Sequence, residues 1–511
     1  MKKKMDWTIA IPTIIVILGI FCILVLIPDQ ARTFIERVYN AVVERFGWAY
    51  IITCLASFAV LVWMTFSKYG KIKLGGEGEK PRYSNFSWGS MIFTSGVGSS
   101  AVILGFMEPL YYLESPPFQI QAYSHEAYEY AHMYGQFHWG FSAWAFYIPA
   151  IIALGIVVYK ENVHALRLSS VIHQINPGSK GKVLGKIIDI LVMIAILAGV
   201  STSLGLAVPV VSKLLSDLFH IPNNLLLQIV VLGIWILIFT ISVFRGLDKG
   251  IKILSDINIY LLLIFSVVLL LISSATDIIA AEVNSIGLYL DNFVRINTWL
   301  DPYGSGDFQK LWTIFYWGWW LTFMPLMAMF IVRVSRGRTL RNIIWCQMIF
   351  GSLGCWLCFG VFGGYSLQVQ AEGRMDLVSM IHTFGQETAL VNLVKDMKFS
   401  GLMTILFCAL IFIFLATTID SAAYILASNS SRHLESTSQP ERIHRIFWAF
   451  MLALLSISLL VIGEIKVLQT LSLLASVPLI FLQFYLCYAA ISLVKKWGAE
   501  KPLIESRKNI S

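Results

Sequence analysis

Twelve apolar runs, each long enough to cross a bilayer, dictate what this chain can become. They lie near residues 7–27, 49–67, 86–112, 138–158, 186–213, 223–244, 253–275, 311–332, 342–368, 400–427, 443–463 and 466–494. A helix needs about 20 such residues to span the hydrocarbon core. Lipid offers the backbone no hydrogen-bond partner, so runs of this length read as helices. Only 13% of the residues are charged and the mean hydropathy is +0.73, whereas a soluble domain carries about 25% charged residues. The expected fold class is an all-α integral membrane protein with twelve transmembrane helices, spans 1 to 12. The first run reads as a span and not a cleaved signal peptide, because no small-residue cleavage site follows it and it ends at Pro28-Asp29.

Twelve spans put both termini on one side. When alternate loops are assigned to alternate sides, the side holding Lys2, Lys3 and Lys4 has about 28 of the 38 Lys and Arg. The loop at 113–137 has none, but contains Glu114, Glu126 and Glu129. By the positive-inside rule both termini are cytoplasmic, in a multi-pass bacterial inner (plasma) membrane protein. The net charge of +8 follows from that orientation and does not point to nucleic acid, since the basic residues are scattered among short loops. The seven cysteines all fall in apolar runs, and no second pair or nearby His completes a metal site beside Cys355 and Cys358. They read as small apolar fillers.

The polar breaks divide the chain. Residues 1–85 hold two leading helices and a Gly- and Lys-rich cytoplasmic seam. Residues 86–276 hold a first group of five spans, and 311–494 a second. Between them, at 277–310, apolar residues alternate with Asp291, Asn292 and Arg295, the pattern of an amphipathic helix in the membrane interface. Residues 495–511 read as a short cytoplasmic tail. An odd number of spans forces consecutive repeats into opposite orientations, the inverted repeat of many secondary transporters.

Span 8 carries the most specific chemical signal. On a helix, Trp312, Tyr316, Trp319, Trp320, Phe323 and Met327 fall within roughly a 100° sector. Four tryptophans in nine residues exceed what packing requires. Aromatic faces are negative, and stacked rings hold quaternary ammonium cations. A tryptophan belt at the membrane interface would cluster at one end of a span, whereas this stripe runs through it. Span 3 carries Thr94-Ser95-Gly96-Val97-Gly98-Ser99-Ser100. Glycines and hydroxyls weaken a helix, so a break is expected there, with exposed carbonyls or close small-residue packing as its two uses. Of the ionisable residues within spans, Glu108 and His138 read as structural, and Arg333, Arg336 and Arg338 as cytoplasmic-end charges with a gate as a further role.

These residues resemble the betaine/choline/carnitine transporter family along essentially the whole chain. The resemblance rests on Phe315-Tyr316-Trp317-Gly318-Trp319-Trp320 and the following Arg333-Val334-Ser335-Arg336-Gly337-Arg338-Thr339. Phe137-His138-Trp139-Gly140 with Trp144 and Tyr147, Ser203-Leu204-Gly205-Leu206, and Ser255-Asp256-Ile257-Asn258 add to it. The family implies a LeuT-like five-plus-five inverted repeat in spans 3–12, a homotrimer, and secondary transport of trimethylammonium compounds without enzymatic chemistry or a cofactor. By resemblance, Trp319, Trp320 and Phe323 line the substrate box, Trp312, Tyr316 and Met327 flank it, and Trp139 and Tyr147 approach it from span 4. Those last two are eight residues apart, a spacing at which one continuous helix would put them on one face. The loop from Tyr111 to Phe118 looks most like the carnitine branch. The family's sodium site falls on Thr94, Val97, Phe414, Thr417 and Thr418. Asn258 stands where sodium-independent exchangers have arginine, and Asp420 resembles the sodium-coupled branch. The resemblance thus implies sodium-coupled symport of a solute such as L-carnitine or glycine betaine, with carnitine/γ-butyrobetaine-type exchange as the alternative.

Overall fold

The computed structural model describes residues 5–508 except 77, 97, 162, 164, 246–249, 305, 433, 435–437 and 463–464. For 244–245, 462, 465–466, 468 and 499–508 it gives the backbone alone. Among the described residues eleven helices can cross a membrane, or twelve when the pair Asn85–Gly96 and Gly98–Glu114, bent by 67°, counts as span 3. Spans 1 and 2 are Trp7–Leu26 and Pro28–Phe66, and span 4 is His125–Tyr159. Spans 5 to 7 are Ser179–Phe219, Leu225–Arg245 and Ile251–Ile272. Spans 8 and 9 are Gln309–Val334 and Leu340–Ala371, and spans 10 to 12 are Ser400–Asn429, Arg442–Ile462 and Ile465–Lys508. Side chains cap several of these helices. Asp6, Ser124 and Thr339 accept from the backbone N–H groups of Thr8, Ala127 and Asn342.

Burial ranks the spans. The apolar stretch of span 8 is 100% buried and that of span 4 is 94% buried, against 28% for span 1 and 33% for spans 6 and 7. Spans 4 and 8 therefore form the middle of the molecule, and the outward sides of spans 1, 6 and 7 are left for lipid. Irregular backbone gathers on the central spans. The two helices of span 3, Asn85–Gly96 and Gly98–Glu114, meet at 67°. Span 4 is interrupted around Trp139–Gly140 and again at Phe146–Tyr147, and π-helical turns occupy Gln309–Thr313 in span 8 and Cys358–Gly363 in span 9.

Several expectations need correction. Trp139 and Tyr147 do not share one continuous helix, because Gly140 sits in an extended, non-helical conformation between helices ending at His138 and starting at Phe141. The break at 370–399 contains two helices, Leu377–Phe384 and Gln386–Asp396, joined at Gly385 with φ +85°. Their short length hid their periodicity. Helix also continues through 495–508, where a tail was expected, as the last turns of span 12. Span 2 starts at Pro28 and not at residue 49, with Pro in its first turn and a charged leading half. Cys22 is exposed, Cys346 and Cys408 are half-buried, and the other four cysteines are buried thiols.

Two polar clusters tie the helices together. Fully buried Arg445 of span 11 donates to Asp420 of span 10, whose other oxygen accepts from Ser242 of span 6 at 2.5 Å. Breaking such a pair by removing one partner costs about 3–5 kcal/mol. The second cluster fastens the amphipathic segment, which is helical over Ala275–Asp291 and Phe293–Thr298 as its pattern implied. Its Ile278, Ser285 and Tyr289 are buried while Val283 and Leu290 are exposed. Glu282 on this interfacial helix accepts from Gln136 of span 4. Its carboxylate lies so close to Gly360 that a Cβ there would come within 2.3 Å of it.

Burial pushes the Glu282 carboxyl up to about 7 against the Gln136 hydrogen bond, from an ordinary value of 4.5. A raised carboxyl favours the packed helix fully below the ordinary value and loses that contribution as pH rises through about 7. Hydrogen exchange corrected for intrinsic rate should therefore show residues 275–291 losing protection as pH rises from about 4.5 to about 7, with little further loss above that. Glu282→Gln should flatten that dependence. An identical pH profile in both proteins would refute the assignment.

Candidate substrate and ion site

The interruption of span 4 at Gly140 turns the Trp139 ring toward span 8. Its centroid lies 5.6 Å from that of Tyr316 and 5.7 Å from those of both Trp319 and Trp320. Trp319 and Trp320 are fixed by their indole N–H groups, which donate to the carbonyls of Gly199 on span 5 (3.2 Å) and His138 on span 4 (3.0 Å). Tyr147 and Trp144 each reach the Trp320 ring at 5.6 Å, and Phe323 packs on Trp319 at 6.1 Å. Trp312 stacks on Tyr316 at 6.4 Å from within the π-helical turn that opens span 8. Met327 lies farther down, where its sulfur would be 2.9 Å from a Cβ on Gly96 of span 3. Trp139, Tyr316, Trp319 and Trp320 thus share one cluster, with Tyr147, Phe323 and Trp312 attached through them and Met327 beyond.

Glu108 belongs to this cluster. It is fully buried and accepts hydrogen bonds from Tyr112, from Tyr316 at 2.5 Å and from the Trp139 indole at 3.2 Å. Tyr112 is also 2.7 Å from Nδ1 of His138, whose Nε2 is 2.9 Å from the Thr313 hydroxyl. Three donors converging on one buried acid lock two of the box rings, Trp139 and Tyr316, by their polar atoms. The sequence shows Glu108 and Tyr112 one turn apart. It holds no sign that spans 4 and 8 bring Trp139 and Tyr316 to the same carboxylate. His138 has the hydrogen-bonded role expected of it.

A cavity of about 240 Å³ opens beside the stripe, lined by Tyr111, Trp312, Phe315 and Tyr316 with Gln386 and Gln469. Gln386 comes from the second helix in the 370–399 break, so that segment covers the outer side of the box. Tyr111 donates to its amide oxygen at 3.2 Å.

The oxygen cluster forms where span 3 meets span 10. The Thr94 carbonyl accepts from the hydroxyls of both Thr417 and Thr418 at 3.2 Å. The same two hydroxyls reach back to the Phe414 carbonyl at 2.7 and 3.1 Å, the intrahelical bonding typical of hydroxyls in apolar helices. Two carbonyls and two hydroxyls in one place are the oxygen donors that suit a hard monovalent or divalent cation. Close approach is required: a Cβ on Gly98 would sit 1.9 Å from the Phe414 ring. Val97 lies outside the described residues. Asn258 is fully buried one turn from Ser255, whose hydroxyl is 2.7 Å from that of Thr94, and among the described residues neither atom of the Asn258 amide has a hydrogen-bond partner. Asp420 is engaged by Arg445 and Ser242, and the hydroxyl it holds belongs to Ser242 rather than to Thr417 or Thr418.

Comparison with known proteins places this arrangement. A family model described as betaine/carnitine/choline family transporter matches residues 8–499. A carnitine transporter of Acinetobacter baumannii is 32% identical over 443 residues, covering 86% of this chain and 78% of that protein. An uncharacterized transporter, YeaV of Escherichia coli K12, is 32% identical over 425 residues, covering 83% of this chain and 88% of that one. A solved structure of a Na⁺-coupled sialic acid symporter in a substrate-bound outward-open state aligns with 88% of this chain and 87% of that one at 13% identity, with a TM-score of 0.41. The match across nearly the full length, on the spans that carry the aromatic cluster, means that this chain belongs to the betaine/carnitine/choline transporter family.

Proposed function

We propose that this transporter carries a zwitterionic trimethylammonium solute, such as L-carnitine or glycine betaine, inward together with sodium. The observation that carries this reading is the convergence of Tyr316, Trp319 and Trp320 on Trp139. A trimethylammonium head has no N–H to donate, so aromatic faces are its natural partners. One desolvated cation–π contact contributes about 2 kcal/mol. Two or three sum to about 4 to 6 kcal/mol, the scale of a site between millimolar and tens of micromolar before the cost of association. Glu108 orients two of these rings through its hydrogen bonds to Trp139 and Tyr316.

The coupling ion is assigned to the Thr94, Phe414, Thr417 and Thr418 oxygens, with Val97 as the further carbonyl. This cluster joins span 3 to span 10, so an ion held there biases the bent span whose first helix packs against Met327 and whose second carries Glu108. That shared helix is the route for thermodynamic coupling between the two sites. Asn258 favours symport because it is a neutral, buried amide one turn from Ser255, which bonds Thr94. Substrate:product exchange is the second reading, favoured by the carnitine-like loop and by Met327 beside the box. Both termini are placed in the cytoplasm and the assembly is taken as a homotrimer.

Uptake of carnitine and of glycine betaine into proteoliposomes should require an inward sodium gradient and no internal substrate. Uptake that ignores sodium and needs preloading would establish exchange instead. Trp320→Leu should weaken substrate binding by about tenfold or more, the loss of one cation–π contact, with Trp320→Phe restoring part of it. Undiminished affinity by calorimetry in the Leu variant would remove Trp320 from the box. Thr417→Ala/Thr418→Ala should raise the sodium concentration for half-maximal uptake while leaving carnitine binding at saturating sodium in place. An unchanged sodium dependence would sink the ion-site assignment.

A further inference from the structure

Glu108 touches more than the two box rings. Its Oε1 is bonded to the Tyr112 hydroxyl, which is 2.7 Å from Nδ1 of His138, and Nε2 of the same imidazole is 2.9 Å from the Thr313 hydroxyl. Glu108, Tyr112, His138 and Thr313 are all fully buried. They form an unbroken chain of hydrogen bonds from the aromatic cluster to the π-helical turn that opens span 8. Gln309 begins that turn. It is 3% exposed, and among the described residues neither atom of its amide has a hydrogen-bond partner. Lys310 and Leu311, the next two residues, are exposed. The chain thus leads from the box toward the membrane face at which span 8 begins, the outer one in the orientation proposed above.

Each member of this chain can give or accept a proton in a hydrogen bond, so the chain can be filled in two ways. With Glu108 ionised, Thr313 donates to Nε2 of His138, Nδ1–H donates to the Tyr112 oxygen, and the Tyr112 hydroxyl donates to the carboxylate. With Glu108 neutral, its own O–H donates to Tyr112, Tyr112 donates to Nδ1, and Nε2–H donates to the Thr313 oxygen. His138 is neutral in both fillings and changes only its tautomer. The two differ by a single proton. When one is delivered to Nε2, the Nδ1 proton passes to Tyr112, the Tyr112 proton passes to Glu108, and the Thr313 hydroxyl turns to accept. The reverse steps return it. Throughout, Tyr316 and Trp139 donate to the other carboxyl oxygen, Oε2.

The ionisable groups that face Glu108 are Tyr112 from its own helix, His138 of span 4 at 3.7 Å, Tyr316 of span 8 and the Cys355 thiol of span 9. Tyr134 packs on His138 from one turn earlier in span 4, with ring centroids 5.4 Å apart. Among the described residues no lysine, arginine or second carboxylate bonds to Glu108 or His138. A buried charge without a partner is costly, and such a group neutralises instead. A cation within about 6 Å restores the charged form. The two rings bonded to Glu108 are rings of the substrate box, so the head of a bound trimethylammonium solute supplies that cation. We propose that Glu108 is a proton site of this transporter. It carries a proton while the box is empty, and gives it up through Tyr112 and His138 to Thr313 when a cationic head binds. Solute and proton then compete for the box. The inference rests on the substrate reading above.

Calorimetry of carnitine and glycine betaine binding to the purified protein, repeated at one pH in buffers of different ionisation enthalpy, counts the protons. The wild type should release up to about one proton per bound solute, and its dissociation constant should rise by up to about tenfold for each unit fall in pH. Glu108→Gln should release none and lose that pH dependence. No release by the wild type, or equal release by both proteins, would overturn the proposal. Infrared difference spectra read the acid directly. The protonated-carboxyl band of the solute-free protein should vanish on binding and be missing from Glu108→Gln. Tyr112→Phe keeps the acid but cuts the chain. After rapid mixing, its proton release, reported by an indicator dye, should be about a hundredfold slower than in the wild type, while binding, reported by tryptophan fluorescence, is not slowed in proportion. Release that stays in step with binding would refute the chain. Absence of the carboxyl band from solute-free protein at neutral pH would overturn the proton site whatever is carried. A band present in protein that binds neither solute would support the proton site and count against the substrate reading alone.

Discussion

Hydrocarbon offers a peptide group nothing to bond to, and the irregular backbone of the described spans respects that constraint. The bend in span 3, the interruption of span 4 at Gly140 and the π-helical turn of span 9 occur where the chain is enclosed by other helices, whereas the π-helical turn of span 8 lies at the end of its span with Lys310 and Leu311 exposed. Spans 1, 6 and 7, the least buried of those ranked above, run as regular helices. Irregular backbone is what supplies chemistry to a membrane interior, because only there do carbonyls and ring positions escape the helical repeat. The box and the oxygen cluster are therefore found together in the middle of the molecule, on the helices that burial protects.

The buried charges follow the same logic by different means. Glu108 accepts from three neutral donors and has the His138 ring 3.7 Å away, while Asp420 has a full partner in Arg445. An acid held by ring N–H and O–H donors positions the rings that donate to it. One neutralised by a guanidinium is a structural clamp. The two acids look alike in sequence, each an isolated charge in an apolar span, and only their surroundings separate a binding-site wall from a tie between helices.

That difference marks how far the sequence could be read. The spans, the interfacial helix and the face shared by Trp312, Tyr316, Trp319 and Trp320 are legible because hydrophobic period and aromatic spacing are local properties. Thr94, Thr417 and Thr418 meet as the resemblance implied. The role of Glu108 was not legible, since its donors lie 4, 31 and 208 residues away and meet only after spans 3, 4 and 8 have packed. The Arg445 partner of Asp420 escaped for the same reason. Trp139 and Tyr147 show the opposite case. Both reach Trp320 as expected, but through a broken helix whose Gly140 redirects the chain.

The clamp of Asp420 and Arg445 also bears on how the chain enters the membrane. The two residues lie on consecutive spans, 25 positions apart. An aspartate at the centre of a helix opposes insertion by about 2.5–3.5 kcal/mol on translocon scales, less toward the helix ends, and Arg445 stands in the first turn of span 11. That penalty is smallest when spans 10 and 11 leave the translocon as a hairpin with their charges already paired. Ser242, on span 6, would have been synthesised long before and would be waiting in the bilayer to receive them.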